Sequence, residues 1–232
     1  MKKIKILVSV DDGDKLDMTL ADMLMKYRIP AVFYIPIKTR DLMDNQLRKL
    51  AGTEPNCKIC KITKDLFEVG CHTMTHPEDL KKLSDKTLKY EICEAKEAIE
   101  YLTLRPVTKF CYPGGRFDER VKETVKKAGF KEARTTRVMN IKFPRDPFET
   151  DVSVHVHPDR KEYKGRSWKE VAEELFEEVL EKGGRFELFG HSWEIEKYNM
   201  WEFLDDFLWF CNERLKEIGY PRNVDIPYFE IK

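Results

Sequence analysis

Short apolar blocks alternate along this chain with stretches whose apolar residues recur at helical spacing. Residues 4–10 are apolar and β-branched, which suits a buried strand. Leu16, Leu20, Met23, Leu24 and Tyr27 then fall on one helical face, with Pro30 just beyond its end. Residues 31–37 predict a second strand, 41–50 a helix closed by Gly52, and 66–69 a short strand ending at Gly70. Ser84 predicts the cap of a long helix to about residue 104, with Leu88, Ile92, Ala95, Ile99 and Leu102 on its apolar face. A strand at 108–111, a helix at 119–128 closed by Gly129, and strands at 130–135 and 152–157 follow. Ser167-Trp168-Lys169-Glu170 is a capping box that opens a helix to residue 181, ended by Gly183-Gly184. A strand at 186–189, a long helix at 200–218 and a strand at 226–231 complete the series.

Strand and helix alternate throughout, which predicts an α/β fold with a mostly parallel sheet and helical crossovers. A closed or nearly closed barrel and an open doubly wound sheet both satisfy the pattern. The 232 residues suit one domain, spanning 1–232, and no repeat or linker divides them. The irregular stretch 140–150, with two prolines, reads as a loop rather than a boundary.

Composition narrows the function. Hydrophobic residues at 41% and aromatics at 12% exclude a disordered chain. Basic and acidic residues balance at 42 each, so neither a nucleic-acid nor a membrane partner is expected. No apolar run approaches the roughly 20 residues of a membrane helix. Met1-Lys2-Lys3 looks like the start of a signal peptide, but the apolar run meets Asp11-Asp12-Gly13 without a small-residue cleavage site, so a cytoplasmic protein is expected. Its six cysteines are then expected to be reduced. Charged residues at 36% and a single Gln, Gln46, resemble the balance of thermophile proteins, in which cytosolic disulfides do occur.

The polar residues of interest all follow predicted strands, and strand C-terminal ends share one face of a parallel barrel. Asp11-Asp12 follows the first strand. Receiver domains place an acidic pair there, haloacid-dehalogenase phosphatases an Asp-x-Asp that Asp12-Gly13-Asp14 superficially fits, and a helix-capping turn is the plain alternative. His72 and His76 follow the 66–69 strand; two His four apart meet on one helical face and can grip one metal, unless they are merely surface residues. Tyr112-Pro113-Gly114-Gly115 is a turn whose glycines allow a backbone N–H to approach an oxyanion. His191, in Phe189-Gly190-His191-Ser192-Trp193-Glu194, is either a buried structural residue or a general acid.

Together these motifs resemble the polysaccharide deacetylase family, the NodB-homology domain. Val10-Asp11-Asp12-Gly13 matches its first motif and His72-Thr73-Met74-Thr75-His76-Pro77 its second, in order and separation, over nearly the whole chain. The receiver and dehalogenase alternatives give the paired histidines no role. The resemblance implies a distorted (β/α) barrel of about seven parallel strands and a divalent metal, zinc first, held by Asp12, His72 and His76. It implies Asp11 as the base that takes a proton from water, His191 as the acid that protonates the leaving amine, and the Gly114 N–H as the oxyanion donor. Tyr112, Pro113, Arg116 and Trp193 would border a small-molecule or oligosaccharide substrate, with Trp193 walling the pocket.

The third motif departs from the family pattern. Cys111 stands where the family carries an Arg that orients the base, and the fourth motif, an Asp near a Trp, is not visible near 134–137. Arg116, Arg134 or Arg137 could supply the missing charge. The altered surroundings of the base leave hydrolysis of a cyclic amide or imide, or a non-catalytic descendant that binds a carbohydrate or metabolite, as alternatives to deacetylation. Cys57-Lys58-Ile59-Cys60 has no second pair to complete a zinc knuckle and no predicted helix after it, so a reduced pair or a local disulfide is expected. His155 and His157 fall on one side of a predicted strand, expected to be solvated, with a second metal or substrate site as the alternative.

Overall fold

The computed structural model of the chain describes residues 2–222 and 229–231. Strand β1 (Lys2–Asp11) leads through helix α1 (Asp17–Tyr27) to β2 (Ala31–Ile35). Two short helices, α2 (Asp44–Leu50) and α3 (Cys60–Leu66), precede β3 (Phe67–Cys71). Helix α4 (Asp85–Lys89) passes through a π-helical turn at Tyr90–Glu94 into α5 (Ala95–Thr103), and β4 (Lys109–Cys111), α6 (Glu119–Lys127) and β5 (Glu132–Arg134) follow. Then come β6 (Val154–His155), α7 (Trp168–Lys182), β7 (Gly184–Gly190), α8 (Ser192–Lys197), α9 (Trp201–Glu217) and β8 (Phe229–Ile231).

The strands join in the order β5-β4-β3-β2-β1-β7-β6, with every pairing parallel; β8 alone adds antiparallel to the start of β1. This is an α/β barrel-like sheet of seven parallel strands, as the family resemblance implies and as one of the two options left by the sequence pattern. The sheet has a seam between β5 and β6. The 140–150 loop fills it: Thr150 bridges Arg134, and its N–H and C=O bond Ala133 O and Thr135 N at 3.0 and 2.8 Å. The end of the chain only partly answers the predicted strand, since residues 226–228 lie outside the described residues.

Local chemistry accounts for several boundaries. Ser84 accepts a hydrogen bond from Thr87 N, and Ser167 and Glu170 form the reciprocal capping box. The long helix from Ser84 is not uniformly α, because the π turn inserts a wider coil at Tyr90–Glu94. Helix α3 departs from the sequence pattern, which predicts no helix after Cys60. It begins at Cys60, so the Cys-x-x-Cys does precede a helix. Burial and a hydrogen bond with Cys57 nevertheless push the Cys60 thiol up to about 11, the reverse of an activated redox thiol. All six cysteines are free.

Hydrophobic residues from the outer strand faces pack against the helices in one large cluster, while Leu7, Val32, Tyr34 and Cys111 form a separate cluster inside the barrel. The Tyr34 ring crosses this interior at Gly70, where an added Cβ would sit 2.6 Å from the ring, so only glycine fits. Below this layer the interior is ionic. Arg185 pairs with Glu187 at 2.6 Å and with Glu132, and Lys109 pairs with Glu68 at 2.6 Å.

Burial alone would raise the Glu132 carboxyl, but Arg185 and Lys109 outweigh it and hold the group down at about 2. A depressed carboxylate stabilises the fold fully above its unfolded value near 4.5 and loses that contribution as pH falls toward 2. Glu132→Gln is therefore expected to flatten the pH dependence of unfolding between those values, by on the order of 3 kcal/mol. Urea titrations across that range check it; an unchanged slope would contradict the pairing.

Candidate active site

The end of β1 presents two adjacent carboxylates to different places. Asp11 is the last strand residue and points into the barrel, 2% exposed. Asp12 turns away through a left-handed backbone, φ +80°, unusual for a residue with a side chain. Gly13 continues the turn at φ +65°, and its carbonyl accepts from Asp41 N and Leu42 N.

His72 and His76 meet, but not on a helix as their spacing predicts. Residues 72–77 form a loop in which Thr73 and His76 adopt positive φ, +74° and +54°. His72 Nδ1 lies 2.9 Å from the carbonyl of Cys111, which directs Nε2 outward. Burial pushes its imidazole down to about 4, so it is neutral near pH 7 and its Nε2 lone pair is available. The two Nε2 atoms lie 3.1 Å apart, and Asp12 Oδ1 lies 3.7 Å from His72 and 3.5 Å from His76. Ligands about 2.0–2.2 Å from a tetrahedral ion sit about 3.4 Å from one another. The three donors match that spacing, and two imidazoles with one carboxylate suit a borderline divalent ion such as zinc.

A carboxylate that sequence inspection missed holds this loop. Glu91, 3% exposed in the π turn, accepts from Met74 N and Thr75 N at 3.0 and 2.9 Å and from Thr75 Oγ1 at 2.6 Å. The helix widens where it must reach the histidine loop, a common use of π turns. Glu91→Ala is expected to leave three donors of the loop without their acceptor and to weaken metal retention about 10–100-fold. Competition with a chromophoric chelator measures this; unchanged affinity would contradict the role.

Beside Asp11, Arg134 resolves the question of the missing charge. Its guanidinium is fully buried and its Nη2 pairs with Asp11 Oδ2 and, at 2.9 Å, with Cys111 Sγ. Burial alone would raise the Asp11 carboxyl, but Arg134, then His72 and His191, outweigh it and hold the group at about 2. Arg137 instead pairs with Asp151 at 2.6 Å, and Arg116 is exposed and bonds Glu78 O at 3.3 Å, so neither replaces the Arg of the third motif.

On the other side of Asp12, Trp193 Nε1 donates to its Oδ2 at 3.0 Å, leaving Oδ1 toward the histidines. His191 Nε2 lies 3.8 Å from the same Oδ2. Its Nδ1 lies 2.6 Å from Glu194 Oε2, because His191 caps α8 and the first helical turn brings Glu194 beneath it. Burial lowers His191, but the Glu194 hydrogen bond and the Asp11 and Asp12 charges outweigh it and raise its pKa. Ser192 Oγ bonds the buried Asp17 at 2.6 Å and ties α8 to α1.

His155 is not on a solvated strand face. It is 6% exposed, with Nε2 2.8 Å from Glu194 Oε2, while His157 Nε2 lies 3.8 Å from Glu194 Oε1. His155, His191 and Glu194 thus form a second group of metal-type donors, linked by hydrogen bonds.

The third-motif turn contributes differently from expectation. Tyr112 is fully buried, its ring stacked on Phe117 at 4.2 Å and its hydroxyl bonded to Phe148 O at 3.1 Å. Pro113 is also buried. Gly114 is exposed at φ +58°, and Gly115 packs so close to Thr136 that a Cβ would meet its Oγ1 at 2.3 Å.

Fold and site together define a class: parallel α/β barrels that gather histidine and carboxylate donors where the strands end. The chain belongs to the polysaccharide deacetylase family. The family model described as polysaccharide deacetylase matches residues 1–133, more than half of the chain. Among solved structures, a polysaccharide deacetylase from Bacillus cereus aligns at 23% identity and TM-score 0.51, over 63% of this chain and 46% of its own, so the chain spans about half that relative's length. The Bc1960 peptidoglycan N-acetylglucosamine deacetylase aligns at 18% identity and TM-score 0.57, over 93% of this chain and 83% of that one. A CE4 family pseudoenzyme from Bacillus anthracis, BA3943, aligns at 19% and TM-score 0.53, over 92% and 61%. No curated protein matches. No helix among the described residues is long and apolar enough to cross a membrane.

Proposed function

We propose that this protein is a metal-dependent hydrolase of non-peptide amide bonds that deacetylates an N-acetylated sugar or a polysaccharide-derived substrate. The observation that carries this is the triangle of Asp12, His72 and His76 donors, with a buried carboxylate on one flank and a carboxylate-held imidazole on the other. A divalent cation held by those three residues, zinc first, would supply Lewis-acid activation of the scissile carbonyl and of the attacking water.

The chain's own groups handle the protons. Asp11, kept ionised by Arg134, accepts the proton of the attacking water. His191, held through Nδ1 by Glu194, presents Nε2 on the site side and donates its proton to the departing amine. The exposed Gly114 N–H is the proposed oxyanion donor, and Trp193, 37% exposed, walls the pocket while fixing Asp12. Arg134 places beside Asp11 the charge that position 111 lacks, which supports deacetylation over hydrolysis of a cyclic imide.

The test is acetate release from N-acetylated chitooligosaccharides. Turnover is expected to vanish on chelation, return with zinc, and fall about 10²–10⁴-fold in His191→Ala. Zinc-loaded wild-type protein that binds the oligosaccharide without releasing acetate would instead establish a binding-only descendant.

A further inference from the structure

The end of the barrel opposite the carboxylate–histidine site holds a cavity of about 390 Å³. It is lined where β1, β3, β4 and β5 begin, by residues including Lys5, Glu68, Arg105, Lys109, Lys131 and Glu132. Four of these are cations and two are carboxylates. Both carboxylates are already engaged. Glu68 takes Lys109 Nζ at 2.6 Å on one oxygen and Thr108 Oγ1 at 2.8 Å on the other, and Glu132 takes Arg185. Arg105 Nη1 bonds only backbone carbonyls, of Ala51 at 3.1 Å and Lys64 at 3.2 Å. Lys5 and Lys131 form no ion pair among the described residues.

We propose that this cavity is a second binding site, for a phosphate-class oxyanion, with Lys5, Lys131 and Arg105 as its cationic contacts. The cations lining the cavity outnumber its two carboxylates, both of which are engaged by other cations, so an entering anion meets positive charge that is not fully matched. Burial, then the charges of Lys109 and Arg185, push the Lys5 amino group down to about 8 against the opposing charges of Glu132 and Glu187, so an added anion there would favour its charged form. The volume lies in the range of small-molecule sites and admits a phosphoryl group with a small organic body. Lys5 lies within β1 and neighbours Arg185 in the β1–β7 register, while Arg105 and Lys131 lie just before β4 and β5. The inference is independent of the amide-hydrolase proposal, since it uses none of the residues at the other end of the barrel.

Calorimetric titration and thermal melting of the full chain, in phosphate-free buffer at constant ionic strength, test it. The probes are inorganic phosphate, glycerol 3-phosphate and, as control, chloride. Saturable binding of either phosphate probe and a rise of the melting midpoint are expected, with affinity at least about tenfold weaker in Lys5→Met and in Lys131→Gln. Bound metal at the His72–His76 end should be unchanged in both. Binding of inorganic phosphate identifies the free ion as sufficient; binding of glycerol 3-phosphate alone assigns the phosphoryl group of an organic ligand. A response no larger than that of chloride, or undiminished in both variants, would mean an adventitious ion only and would overturn the proposal. Lys131 is exposed, so Lys131→Gln remains informative if Lys5→Met does not fold.

Discussion

Arg134→Met is expected to destabilise the protein by about 3–5 kcal/mol and to abolish turnover. Arg134 has no solvent exposure, and neither in practice does Asp11, so deleting the guanidinium leaves a carboxylate buried without its partner. Cys111 Sγ, the other group on Nη2, cannot compensate, because its thiol is pushed far up by burial and is neutral. Asp11 would then rise from about 2 toward the value burial favours and would no longer be held ionised beside the histidines. Adding Asp11→Asn to Arg134→Met removes the stranded charge, and the double variant is expected to recover part of the lost stability. Denaturant titrations of the four proteins give the coupling directly. A loss below about 1 kcal/mol for Arg134→Met would show that the pair carries little.

Asp11→Asn alone is expected to lower kcat about 10²–10⁴-fold while leaving the metal content unchanged. The separation follows from the β1 turn, which sends Asp11 into the barrel and Asp12 to the histidines. An amide at position 11 keeps the shape and one acceptor oxygen for Arg134 but cannot take a proton from water. Substantial turnover in this variant would remove Asp11 from the base role. Loss of metal together with activity would mean that the two aspartates are not divided in function as proposed.

Much of this arrangement is legible in the sequence, and the rest is hidden for identifiable reasons. The alternation of strands and helices, the Ser84 and Ser167 caps and the placement of Asp11, His72 and His191 at strand ends all follow from local patterns. Local patterns also mislead. The spacing of His72 and His76 imitates one helical turn, whereas the pair meets through left-handed residues at Thr73 and His76 and a clamp from Glu91. Nothing in the segment announces either feature, because Glu91 acts from a π turn some 16 residues away in sequence. The Arg134 role depends on the β4–β5 register, Cys111 opposite Arg134, which no single-strand pattern reveals. Glu194 was within reach: it lies three residues beyond His191, and a helix starting at Ser192 would have brought them together. His155 escapes the strand pattern because β6 is only two residues long and its polar face is covered by Glu194, Phe189 and Tyr163.

Metal stoichiometry bears most directly on the central claim. After zinc loading and exhaustive dialysis, elemental analysis should find one tightly held equivalent in the wild-type protein and a loss of nearly all of it in His72→Ala and in His76→Ala, with folding preserved by circular dichroism. A full equivalent retained in both folded variants, or none in the wild type, would contradict the account.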